Sequence, residues 1–110
     1  MAAKFVLKNS KDQFMFNLKA PNGEPILTSE RYTSKAGALN GIESVRKNSS
    51  DDDQFERKES SNGQNYFILK AKNNEPIGKS EMYTTKAGME NGIKSVKENA
   101  PSAEIEDLTE

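Results

Sequence analysis

The chain contains no cysteine, no histidine and no tryptophan. Without cysteine it has neither a disulfide framework nor thiol chemistry. The missing histidine removes the side chain most used for acid–base work near neutral pH, and with it the commonest metal ligand. Cys–His catalysis, Ser–His–Asp hydrolysis and zinc sites are excluded together. An enzyme built from this chain would have to use carboxylates, lysine or tyrosine, so the expectation is no catalytic residue, no cofactor and no metal. Long apolar runs are absent as well, and the N-terminus has no apolar leader core. The expected setting is therefore cytoplasmic, with no membrane association. Charge of one sign is not in excess: charged residues make up 30% of the chain, yet the net charge is −1. That balance creates no overall field to draw the protein onto nucleic acid or an acidic membrane.

What is present is a duplication. Gln13 to Asn48 aligns without a gap on Gln64 to Asn99 at an offset of 51, with 22 of 36 positions identical. The identities include Glu24-Pro25-Ile26 on Glu75-Pro76-Ile77, Lys35-Ala36-Gly37 on Lys86-Ala87-Gly88, and Asn40-Gly41-Ile42 on Asn91-Gly92-Ile93. Only 33% of the 110 residues are hydrophobic. Two units of that size have too little apolar surface for separate cores, so a shared one is expected. The domain reading is one domain, 1–110, made of repeat one (1–50) and repeat two (51–110).

Each repeat has the same rhythm. Phe5 and Leu7 oppose Val6 and Lys8 on a first strand; Phe14, Phe16 and Leu18 oppose Met15, Asn17 and Lys19 on a second. Pro21-Asn22-Gly23 marks a tight turn, and Pro25 to Thr28 a short third strand. A helix then starts at Thr33 or Ser34 and runs to about Asn48, with Ala38, Ile42 and Val45 at helical spacing. Met89, Ile93 and Val96 repeat that stripe, while Lys35, Glu43, Arg46 and Lys47 read as its solvated side. Glu90, Lys94 and Glu98 read as an i, i+4 ladder. The acidic stretch Ser49 to Asp53 links the halves, Gln54 to Glu59 supplies the first strand of repeat two, and Ala103 to Leu108 adds a last strand that can pair with the other half. The fold class is α+β: one antiparallel sheet with two helices on one face.

These residues resemble the YegP-like family of small bacterial proteins of uncharacterised function. The resemblance covers nearly the whole chain. It rests on Phe-x-Leu-x-Ala (Phe16 to Ala20, Phe67 to Ala71), Ser-Glu-x-Tyr-Thr-x-Lys-Ala-Gly (Ser29 to Gly37, Ser80 to Gly88) and Asn-Gly-Ile-x-Ser-Val (Asn40 to Val45, Asn91 to Val96). It implies a β(3)-α-β unit that shares a sheet with a partner unit and exchanges its C-terminal strand. A tandem chain is then its own pseudo-dimer, a monomer with an internal pseudo-twofold. The first copy departs from the pattern at Ser49 to Asp53, so the resemblance does not fix the crossover there. It brings no catalytic residues.

Three groups of residues are candidates for function. The first is the strand-to-helix junction: Ser29, Glu30, Tyr32 and Lys35, with Ser80, Glu81, Tyr83 and Lys86. A helix N-terminus there could take a small anion, but helix capping and core closure by the tyrosines account for nearly all of these residues. The second is the mid-helix pair Asn40 and Asn91, beside glycines Gly37, Gly41, Gly88 and Gly92, whose spacing points to a close approach of the helix to the sheet, to an N-terminal turn at Gly37 and Gly88, or to backbone open to a ligand. The third is the sheet face turned away from the helices, where Met15, Tyr66 and Ile68 stand among lysines and could dock a partner. Single-stranded nucleic acid is the weakest of these readings, because Tyr66 is the only aromatic on that face. The function expected is a non-enzymatic interaction module whose partner, a protein or a small ligand, the sequence does not name.

Overall fold

The computed structural model describes residues 3–109. In chain order it contains β1 (Lys4–Ser10), β2 (Gln13–Lys19), β3 (Pro25–Ser29), α1 (Lys35–Asn48), β4 (Phe55–Glu59), β5 (Asn65–Lys70), β6 (Pro76–Lys79), α2 (Lys86–Asn99) and β7 (Glu104–Asp107). Short 3-10 turns precede β4 (Asp52–Gln54) and β7 (Ala100–Ser102). The seven strands form one sheet in the order β4-β5-β6-β3-β2-β1-β7. All pairs are antiparallel except β7 with β1, which is parallel.

The two repeats meet at the centre, where β3 pairs with β6 through Thr28↔Lys79 and Ser29↔Gly78. Gly78 stands at the position occupied in repeat one by Leu27. A Cβ there would lie 3.0 Å from Leu27 Cγ and 3.0 Å from the Thr28 carbonyl oxygen. One leucine therefore fills the space over the junction that two could not share.

Strand alternation puts Phe5, Leu7, Phe16, Leu18 and Leu27 toward the helices, with Phe55, Phe67 and Leu69 doing so in repeat two. They join Ala38, Ile42, Val45, Met89, Ile93 and Val96 in one continuous buried cluster. Each helix also reaches strands of the other repeat, α1 touching β5 and β6, and α2 touching β3. The halves repeat one another closely inside. Phe5 meets Phe16 edge-on at 5.8 Å and Phe55 meets Phe67 edge-on at 5.6 Å. Each fully buried Phe or Leu contributes about 1.5–3 kcal/mol by leaving water, so the shared cluster is the main source of cohesion.

The crossover that the sequence left open is compact. After α1, Asp51 caps the 3-10 turn by accepting from the Asp53 N–H, and the chain enters β4 directly. The C-terminal segment instead passes under α1, where Arg46 donates to the Ala103 carbonyl at 2.5 Å and covers the Phe5 ring. Arg46 thus belongs to an interior contact and not to the solvated side read from the sequence. Its counterpart Lys97 does the same for the other crossover, binding Asp52 at 2.6 Å above the Phe55 ring. The Glu90-Lys94-Glu98 ladder does not form: Glu90 pairs with Arg57 across to β4, and Lys94 has no ion pair among the described residues.

Candidate functional site

The strand-to-helix junction is built the same way in both repeats. Ser29 is buried; its hydroxyl accepts from the Phe16 N–H at 2.9 Å and donates to the Glu30 carbonyl at 2.7 Å. Ser80 does so with Phe67 and Glu81 at 2.9 and 2.8 Å. These serines complete backbone pairing where β3 and β6 end, and their hydrogen-bonding capacity is used within the chain. Tyr32 exchanges two backbone hydrogen bonds of 2.8 Å with Phe14, and Tyr83 two of the same length with Asn65. That pairing aims each half-buried ring under its helix.

The tyrosine rings explain the glycines. A Cβ at Gly41 would collide with the Tyr32 hydroxyl, and one at Gly92 with the Tyr83 hydroxyl. A helix glycine costs about 1 kcal/mol relative to alanine, and here that cost makes room for a ring. The close approach is to the tyrosine and not to the sheet backbone. Tyr32 also stacks on Phe16, 6.2 Å between centroids. Burial raises the pKa of both tyrosines, helped by Glu30 beside Tyr32 and Glu81 beside Tyr83, so both stay neutral hydroxyls.

The helix N-termini are capped from within. Ser34 Oγ accepts from the Gly37 N–H at 3.0 Å and Thr85 Oγ1 from the Gly88 N–H at 2.9 Å. Lys35 forms an ion pair with Asp107 of β7 at 2.5 Å, whereas its counterpart Lys86 has none among the described residues. Asn40 and Asn91 are exposed on the helices. Among the described residues their side chains make no hydrogen bond to a loop or sheet edge that would gather them with the junction residues into one cleft.

The carboxyls that the fold perturbs are all held below their usual range. Arg57, then Lys97, bring Asp52 to about 2, and Lys35, then Thr109, bring Asp107 to about 2. Lys70 lowers Glu56 and Arg57 lowers Glu90. A general acid at neutral pH needs the opposite shift. No group of three or more acidic side chains among the described residues is placed to hold a metal ion.

The face away from the helices has a different character. Cross-strand pairing places Lys4, Val6 and Lys8 beside Lys19, Asn17 and Met15, and Glu56 and Lys58 beside Ile68 and Tyr66. Thr28 and Lys79 continue the same face across the centre. Met15, Tyr66 and Ile68 are half-buried, with Lys79 Nζ 4.9 Å from the Tyr66 ring centroid. Val6 and Asn17, although on the side of the sheet turned away from the helices, are buried at 5% and 8% exposure. They sit where flanking side chains close over the sheet, and Asn17 donates to the Thr28 hydroxyl at 2.9 Å. With Lys70 and, on β7, Glu104 and Glu106, this face carries six lysines against three glutamates. The rest of a chain of net charge −1 is correspondingly acidic.

One functional-looking constellation escaped the sequence reading: Asp52, Arg57, Glu90 and Lys97. Arg57 is held by Glu90 at 2.6 Å and by Asp52 at 3.0 Å. The signal lay in the repeat itself, since Arg57 and Glu90 stand where repeat one has Leu7 and Leu39.

Comparison with known proteins agrees with this architecture. A family described as a domain of unknown function (DUF1508) matches twice, at residues 9–56 and 60–107. A UPF0339 protein of Mannheimia succiniciproducens is 55% identical over 106 residues, covering 96% of this chain and 94% of the relative. The UPF0339 protein YegP of Shigella flexneri is 54% identical over 110 residues, covering 99% and 100%. The solution structure of the protein of unknown function YegP from Escherichia coli superposes with a TM-score of 0.93 at 53% identity, covering 99% of this chain and 95% of that one. A UPF0339 protein of Shewanella oneidensis, also solved in solution, gives a TM-score of 0.92 at 52% identity, over 99% of this chain and 93% of that one. Two successive matches on one chain, full-length relatives and a common fold lead to one conclusion: the chain belongs to the DUF1508 family, as a tandem member of the UPF0339/YegP kind.

Proposed function

We propose that this protein is a non-enzymatic interaction module that docks a protein partner on the open face of its sheet. The observation that carries the reading is the segregation of charge and apolar surface on that face. Both helices pack on the other side, leaving half-buried Met15, Tyr66 and Ile68 among six lysines; Lys4, Lys58 and Lys70 pair with glutamates of the same face, while Lys8, Lys19 and Lys79 form no ion pair among the described residues. Apolar side chains give a docking surface its affinity, and surrounding lysines select an acidic partner and speed its approach. Binding of a small anion at the helix N-termini has less support, because Ser34 and Thr85 each already accept one of the backbone donors that an anion would use and Asp107 neutralises Lys35.

The test is amide NMR of labelled protein titrated with fractionated cell extract, beside a Met15→Ser, Tyr66→Ser, Ile68→Ser variant. The expected outcome is shifts on β2, β5 and β6 that the variant loses while its melting stays cooperative. Shifts confined to Ser34–Gly37 and Thr85–Gly88 would move the site to the helix N-termini.

A further inference from the structure

The two ends of the sheet are related by the duplication, yet only one is complete. At the β1 end, β7 lies parallel with Lys4↔Glu104, Phe5↔Ile105, Val6↔Glu106 and Leu7↔Asp107 in register. The Leu108 N–H donates to the Leu7 carbonyl at 2.8 Å, and Asp107 meets Lys35. At the other end β4 is the outermost strand. The strand that would complete it is the stretch after α1, and in this tandem chain that stretch is spent on reaching β4 itself.

The fittings for a strand are nevertheless present. Arg57↔Phe67 corresponds to Leu7↔Phe16, so the Arg57 carbonyl points outward as that of Leu7 does. Lys86 occupies the place of Lys35 but has no carboxylate partner among the described residues. Between them lies an open hollow of about 280 Å³, bounded by Arg57, Glu59, Lys86, Met89 and Glu90.

We infer that the outer edge of β4 accepts an extended acidic segment of another protein in parallel pairing, its acidic side chain seated on Lys86 at the rim of this hollow, since Arg57 is already held by Asp52 and Glu90. The chain's own β7 is the template for this contact. Backbone hydrogen bonds along an open edge supply affinity, and the side chains beside it supply selection. The charges of β4 also work against one wrong occupant, a second copy of this chain. Pairing β4 antiparallel to its copy in a second molecule about Arg57 brings two guanidinium groups together, a usual protection of exposed edges. This contact is separate from the open face of the sheet, and the two fail independently.

The probe is a synthetic peptide of residues 102–109 carrying Glu106→Lys, because Glu106 opposite Val6 would correspond to a glutamate opposite Glu56. Added to labelled full-length protein up to roughly 2 mM, a weak-binding range, it is expected to shift the amides of Phe55–Glu59 and Lys86–Glu90 saturably. Lys86→Glu should weaken it roughly fivefold, the scale of reversing one exposed ion pair. A peptide that also carries Asp107→Lys should recover binding to that variant. Absence of saturable shifts on β4 overturns the inference, as does an effect confined to Lys4–Leu7, which would mean displacement of β7. Peptide binding indifferent to Lys86→Glu overturns it too. Shifts on β4 that depend on protein concentration without peptide would make a second copy the occupant, and the acidic partner would be rejected.

Discussion

The interiors of the two repeats are near copies and their sheet edges are not. Inside, the Phe5–Phe16 and Phe55–Phe67 pairs, the Ser29 and Ser80 hydrogen bonds, and the tyrosines lodged against Gly41 and Gly92 recur almost atom for atom. At the edges, Leu7 is fully buried beside β7, while Arg57 in the same position is a surface group tied to Asp52 and Glu90. The difference follows from covalent connection. A single chain of two units has one C-terminal strand to give, and the strand that receives none carries Glu56, Arg57 and Glu59 where its sibling carries Val6, Leu7 and Asn9. Packing that both halves need stays alike, and positions whose surroundings differ take different residues.

The largest effect expected from breaking this comparison comes from separating the halves. Residues 1–50 alone should give no cooperative thermal transition and little amide dispersion, because both repeats contribute to one buried cluster and β1 loses β7. A folded, cooperatively melting half-chain monomer would refute the shared core. A middle-sized effect should be equal in both halves. Gly41→Ala and Gly92→Ala each gain about 1 kcal/mol of helix propensity. Each also drives a methyl into a tyrosine, and overpacking costs typically about 1–3 kcal/mol. Net destabilisation in denaturant melts is expected for both, and combining Gly92→Ala with Tyr83→Leu should cost less than the sum of the two. Unequal losses would mean that the interiors are less alike than their geometry.

The smallest effect is electrostatic and separates the edges again. Asp107 clamps β7 to Lys35, and Asp52 clamps the crossover through Arg57 and Lys97. Both carboxyls titrate at about 2, below the ordinary aspartate value of about 3.9. A carboxyl with a lowered pKa stabilises the fold above its unfolded value and loses that contribution as the pH falls through its folded one. Melting temperatures of the parent should therefore exceed those of Asp52→Asn by a constant margin from pH 7 to about 5. The margin should close between about 4 and 2. For Asp52 it corresponds to less than about 1 kcal/mol, as befits an exposed pair.

Much of the fold was legible because strand alternation and helical spacing are strong here and stated twice. The stripe Ala38, Ile42, Val45 faces the core as its period requires, and the hairpin and cap residues stand at the element ends. The exchange of β7 came through family resemblance, since nothing local in Glu104 to Asp107 says which strand it joins. Arg46 and Glu90 were misread for a related reason. Helical spacing ranks neighbours along one helix and is blind to a crossover or strand arriving from the other half. The roles of the junction residues depend on where a tyrosine ring goes, which spacing does not encode.

At the centre of the sheet, Leu27 lies over Gly78, one bulky and one bare position at equivalent places in the duplicated pattern. Two separate identical chains meeting on a twofold axis would be obliged to present the same side chain twice, so a leucine facing a glycine could not arise between them. In one chain the two positions are free to differ, and here they interlock as tooth and notch. Two first repeats would crowd a pair of leucines into that space and two second repeats would leave it bare, so each half fits the other better than a copy of itself.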